Sequence, residues 1–144
     1  MWLLRRAQFS KAEPYFRKAV ETLTERNPNP YDGEPYFNLG TSLMMQERFD
    51  EAYEAFFKSA WNAAWQDAAY LNLARIATRR GDWQEALNLI DKSLVRNYHS
   101  HTARHLKSAI LQARPYRSRQ QLDQRITGTR QIQLRLFIRA IFRP

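Results

Sequence analysis

Residues 33–66 read GEPYFNLGTSLMMQERFDEAYEAFFKSAWNAAWQ, and residues 67–100 read DAAYLNLARIATRRGDWQEALNLIDKSLVRNYHS. Set 34 residues apart, Tyr36, Leu39, Gly40 and Leu43 recur as Tyr70, Leu73, Ala74 and Ala77. In the same register Phe49, Glu51, Ala52, Phe56, Lys58 and Ser59 recur as Trp83, Glu85, Ala86, Ile90, Lys92 and Ser93. The first set falls at i, i+3, i+4 and i+7, the stripe of a helix with one buried face. Each unit is therefore expected to be two antiparallel helices whose apolar face is too wide to bury alone, so that neighbouring units stack. Such a stack presents a curved surface rather than a catalytic pocket, and the chemistry expected of it is binding.

The turn and cap residues follow the same register. Gly81 suits a tight inter-helix turn, whereas the corresponding residue of the preceding unit is Glu47, so that turn has to form without glycine. Asp82 with Glu85 is a capping box for a helix over 83–96, and Asp50 is the expected cap of a helix from Glu51 to about Ala64. Gly40 lies inside a helix over 34–46, where glycine costs about 1 kcal/mol relative to alanine, and it is expected to serve close helix–helix approach.

Working outward, Phe9, Ala12, Phe16, Lys18 and Ala19 repeat the second-helix pattern at a displacement of 40, one period plus six. The extra residues fall in Glu25–Gly33, where two prolines and a glycine interrupt any helix. Ser10 with Glu13 reads as a capping box, with Pro14 in the first turn of a helix over 9–24. The partner first helix would lie before Gln8, so the chain is expected to begin in mid-repeat. Downstream, Ala103, Leu106, Ala109 and Ile110 predict another first helix to about Ala113, after which Pro115 stands in the position of Gly81. The expected organisation is a partial unit at 1–24, full units at 33–66 and 67–100, a partial unit at 101–113, and an atypical tail at 114–144.

The residue classes at Tyr36, Leu39, Gly40, Phe49, Ala52 and Phe56, repeated after 34 residues, resemble the tetratricopeptide repeat over residues 1–113. The resemblance implies an all-α fold of antiparallel helix-turn-helix units stacked as a right-handed solenoid, acting as a noncatalytic protein-interaction scaffold. Departures are Glu47, Ser59, Ser93 and Ala64, where the repeat usually has glycine, alanine, alanine and proline. More narrowly, Asn27-Pro-Asn-Pro-Tyr-Asp-Gly-Glu-Pro-Tyr36, Trp61-Asn-Ala-Ala-Trp65 and Ala103-Arg-His-Leu-Lys107 are similar to the repeat region of large bacterial proteins. There the array follows an N-terminal domain suspected of a link to carbohydrate metabolism. The alternative function implied is an accessory repeat region of a carbohydrate-active enzyme whose catalytic domain lies elsewhere.

The net charge of +9 has one location. Residues 1–100 hold 13 basic and 13 acidic side chains, while residues 101–144 hold ten basic ones against Asp123. The absence of cysteine removes disulfide frameworks and thiolate zinc sites. Neither a signal-peptide core nor a membrane-length apolar run is present, so the expectation is a cytoplasmic protein. Three readings of the tail stand side by side. Shifted forward by one base, permitted codons for residues 122–144 can encode W-I-S-E-S-L-A-L-D-R-F-N-F-G, which resembles a proper second helix and its turn, so the tail reads as out of frame. It also reads as a helix capping the array, or as a basic segment for nucleic acid or a membrane, where the stripe Leu134, Phe137, Ile138 and Ile141 with Arg135 and Arg139 opposite would make an amphipathic helix for an anionic membrane or a partner groove. From Arg114 to Arg135 the arginines are interleaved with no aromatic residue except Tyr116, which argues against base stacking.

Candidate site residues divide into three groups. First-helix positions spared from packing should line the concave side: Phe37, Asn38, Thr41 and Met45, then Leu71, Asn72, Arg75 and Arg79, then His105. Asn38 and Asn72 share one register, suited to an extended peptide backbone, though exposed asparagine on a solvated face reads equally well. Trp61, Trp65 and Tyr70 form the densest aromatic cluster, read first as junction packing and second as a hot spot or sugar platform. His101 and His105 have the spacing of helical zinc ligands, but Thr102 replaces the glutamate of an H-E-x-x-H motif and a surface pair is the simpler reading. No catalytic residue, cofactor or metal is expected; the partners expected are a protein or peptide, with self-association through incomplete ends of the stack.

Overall fold

The computed structural model describes residues 6–25, 27 and 30–113. Six helices occur among them: α1 Phe9–Thr24, α2 Glu34–Met45, α3 Phe49–Ser59, α4 Gln66–Arg80, α5 Trp83–Arg96, and α6 over residues 101–113. The chain falls into two compact units, residues 1–107 and 108–144. The second is described only over 108–113, which is helical, with Ile110 buried. In the first unit α2 packs most closely on α3 and α4 on α5, with α1 against α2 and α3 against α4. This is an all-α stack of helical hairpins. The expected readings of the tail lie outside the described residues.

The period in the sequence is the period of the core. Leu43, Ala52 and Phe56 seal the α2–α3 hairpin while Leu73, Ala77, Ala86 and Ile90 seal α4–α5, all nearly or fully inaccessible, and Leu39 is close to it. At Gly40 a Cβ would stand 2.9 Å from the Phe56 ring, so the two helices approach as closely as they do because no side chain is there. Equivalent contacts recur 34 residues apart. The Lys58 ammonium lies 5.5 Å from the Tyr36 ring and Lys92 5.7 Å from Tyr70. Ser59 Oγ donates to Gly33 O at 3.0 Å and Ser93 Oγ to Asp67 O at 2.8 Å. The two serines that depart from the repeat's usual alanine thus tie each second helix to the start of its own first helix. On α1, which has no such first helix among the described residues, Tyr15 and Ala19 are exposed where their matches on α3, Ala55 and Ser59, are buried.

Both hairpin turns close alike. Arg48 N donates to Leu43 O and Asp82 N to Ala77 O, each at 3.0 Å, across a residue in the left-handed region. That residue is Gly81 at φ 81° in one turn and Glu47 at φ 61° in the other. A glycine adopts this conformation freely; Glu47 holds it at a cost of about 1 kcal/mol.

Three local expectations are corrected. The α1 helix starts at Phe9 without a side-chain cap, so Ser10 lies inside it and Pro14 is its sixth residue, beyond the first turn. Likewise α3 starts at Phe49 with Arg48 as an N-cap whose side chain makes no capping bond to the helix, and Asp50 does not cap it. In both cases a tertiary partner takes the acid: Arg48 holds Glu13 and Arg80 holds Asp50. Finally α3 ends at Ser59 rather than near Ala64. Buried Asn62 stops it, donating to Tyr31 O and accepting from Ala64 N. The Asp82 cap forms as expected, accepting from Glu85 N at 3.1 Å.

An ion network joins α1 to the α2–α3 turn. Arg48 Nη1 lies 2.8 Å from both Glu13 oxygens, and its Nε and Nη2 reach Glu51 at 2.7 and 2.6 Å. Arg17 bridges the same two acids at 2.7 and 2.9 Å. Burial alone would raise the Glu13 pKa, but hydrogen bonds from Arg17, Gln46 and Arg48 outweigh it and hold the carboxyl below 4.5. Hydrogen bonds from Arg48 and Arg17 lower Glu51 likewise. A carboxyl whose native pKa lies below its unfolded value stabilises the fold fully above the unfolded value. That contribution is lost as pH falls from 4.5 through the native pKa. Urea titrations at stepped pH should therefore show a drop in stability below that point, shallower in Glu13→Gln; an unchanged acid limb in the variant would contradict the network's role.

Candidate functional site

A cleft of about 430 Å³ opens where the end of α2 and the following turn meet the C-terminal half of α4. Met44, Met45, Glu47 and Phe49 form one wall, with Arg75, Ile76, Thr78 and Arg79 opposite. It adjoins a second cleft of about 410 Å³ that runs along Arg48–Glu51 toward Arg80. Their common floor is Phe49 and buried Ile76. The apolar part exists because α2 ends with two consecutive methionines, of which Met45 is 55% exposed. The basic part comes from α4, whose last turns place Arg75 and Arg79 four residues apart on one exposed side.

These arginines are held differently. Arg80 pairs with Asp50 and covers the Tyr53 ring at 4.9 Å. Arg79 lies over Phe49 at 4.5 Å and stands 3.7 Å from Glu47, a long contact between two exposed side chains. Arg75 donates to Asn72 Oδ1 at 2.9 Å and meets no carboxylate among the described residues. Arginine carries five N–H donors in a planar fork, so Arg75 and Arg79 retain donors aimed at solvent beside an apolar floor.

Of the predicted concave positions, the structure brings Met45, Arg75 and Arg79 together in this cleft. The others lie elsewhere. Asn38 and Asn72 are buried, each 7% exposed, and Asn38 Nδ2 points to Glu34 at 3.5 Å. Their amides are thus less open than their shared register implies. Phe37 is a packing residue, edge-on to Phe56 at 5.5 Å and against Trp65 at 4.8 Å. Thr41 turns its hydroxyl back to Phe37 O at 2.9 Å, Leu71 is half-buried, and His105 is exposed.

The aromatic cluster divides among separate partners. Trp65 packs on Phe37, Tyr70 lies under Lys92, and Trp61, 55% exposed, stands edge-on to Phe57 at 6.4 Å. His101 and His105 are both exposed, and among the described residues no three potential metal ligands cluster. No helix among them is long and apolar enough to cross a membrane.

With α4 and α5 packed as one hairpin, closed by left-handed Gly81 and capped by Asp82, the comparison with known families falls on that hairpin. Residues 69–98 match the tetratricopeptide repeat. Its first helix supplies Arg75, Ile76, Thr78 and Arg79 to the cleft. The facing wall comes from the preceding hairpin, which carries the repeat's contacts one period earlier. Sequence reasoning missed Met44, Glu47, Phe49, Ile76 and Thr78 as lining residues. The signal available was Glu47, an acid kept where the next unit has glycine.

Proposed function

We propose that the protein is a noncatalytic interaction scaffold that holds a peptide or partner protein along the first helices of its hairpins. The tetratricopeptide match on a hairpin whose contacts recur in its neighbour carries this reading, because repeats of that family suggest protein interaction. The units at 33–66 and 67–100 act as the frame, and Met45, Arg75 and Arg79 meet the partner. The likeness of residues 27–36 to bacterial repeat regions supports a place in a larger cytoplasmic assembly.

Selection of a displayed random-peptide library on the full chain tests the proposal. Enriched peptides should lose binding to Met45→Glu, a substitution at an exposed position that leaves the helical circular dichroism unchanged. Peptides indifferent to it, or none enriched, would remove the reading. One observation favours the accessory carbohydrate reading: exposed Trp61 beside Phe57 offers a flat apolar face to a sugar ring. Glycan-array binding that disappears in Trp61→Ala would move the function there.

A further inference from the structure

We propose that the Met45–Phe49–Arg79 cleft takes a partner segment in which a large apolar side chain is flanked by carboxylates. This rests on the interaction-scaffold reading and adds the chemistry of the partner. The floor of Phe49 and Ile76, with Met44 and Met45 at one side, suits a leucine or phenylalanine side chain, and methionine adapts its shape to either. The rim decides the flanks. Among the described residues Arg80 is paired with Asp50, but Arg75 faces no acid, and Arg79 has only the distant contact with Glu47. A position in the last helical turn accounts for Arg79 through the helix dipole. Arg75 lies more than a turn from the end of α4 and is not accounted for that way.

Glu47 is the second observation. Its backbone occupies the left-handed region at φ 61°, where the equivalent turn has glycine, and its exposed carboxylate stands at the mouth of the cleft beside Arg79. The side chain occupies the place a partner's carboxylate would take. It is an internal competitor that an acidic segment displaces. The basic residues 114–144 have the wrong charge for this rim.

A fluorescein-labelled peptide Asp-Glu-Asp-Leu-Phe-Asp-Glu-Asp, titrated against the full chain, is the probe. Control peptides carry lysine for every acid, or serine for Leu-Phe. The acidic-apolar peptide should bind, both controls should fail, and affinity should fall with added salt. Arg75→Glu/Arg79→Glu should weaken binding about tenfold or more, with Arg75→Ala, at an exposed position, losing part of it. Glu47→Gly should tighten binding about two- to fivefold by removing the competitor, and should also raise stability by relieving the backbone. A purely structural Glu47 would change stability alone and leave affinity where it was, which overturns the competitor role. Binding untouched by Arg75→Glu/Arg79→Glu places the peptide on the basic tail and overturns the proposal, as does a single-stranded oligonucleotide that binds these arginines when the acidic peptide does not. If display selection yields Met45-dependent peptides without acids, the scaffold reading stands and this inference falls.

Discussion

Phe56→Ala is expected to destabilise the protein by about 3–5 kcal/mol, the usual cost of emptying a fully buried aromatic site. Phe56 has no accessible surface. Its ring lies against the bare Cα of Gly40 and edge-on to Phe37, so two elements lose their packing at once and neither can collapse far into the void. A domain of this size has about 5–15 kcal/mol in total. Stacked repeats also draw stability from their neighbours, so urea should melt α2 and α3 at lower concentration than α4 and α5. Ile90→Ala, in the same register of the next hairpin, should cost about 2–5 kcal/mol. A loss below about 1 kcal/mol for Phe56→Ala would mean that the ring does not seal the hairpin.

Gly40→Ala should reverse sign with its background. Alanine favours a helix over glycine by about 1 kcal/mol, yet in the native protein its methyl would meet the Phe56 ring at 2.9 Å. Overpacking of that kind costs about 1–3 kcal/mol, so the single substitution should be neutral to destabilising by about 2 kcal/mol. With Phe56 already alanine the obstacle is gone, and the same change should stabilise by up to about 1 kcal/mol. The double-mutant cycle measures the difference as a coupling energy. Additive effects would show that Gly40 is present for some reason other than the ring. Ala74, at the same register, tolerates its methyl because Ile90 stands where Phe56 would be.

The helices were legible wherever a local pattern was strong. The apolar spacing of Phe9, Ala12 and Phe16 gave α1 to its last residue, and Asp82, Glu85 and Gly81 marked both ends of the second hairpin's turn. Ser10 and Asp50 were misread as caps because a capping pattern states only what a side chain offers. Glu13 and Asp50 are taken by Arg48 and Arg80 instead. A carboxylate at a helix start can accept from an arginine as well as from the backbone, and which it meets is set by tertiary packing. Asn62 was invisible as a helix stop, since its carbonyl partner Tyr31 lies 31 residues away. The cleft was legible only in part: Met45, Arg75 and Arg79 follow from the helical register, but Met44, Glu47 and Phe49 join them, with Ile76 and Thr78 opposite, only when α4 packs beside the preceding turn.

By itself the sequence determined the helical hairpin and its period, because both are written in spacings of three and four residues that a helix reads locally. The tertiary structure alone decided which charged groups pair, which asparagines are closed off and where apolar floor meets open arginine. Those outcomes depend on which turn of one hairpin comes within reach of the next, and no spacing within a single helix carries that distance.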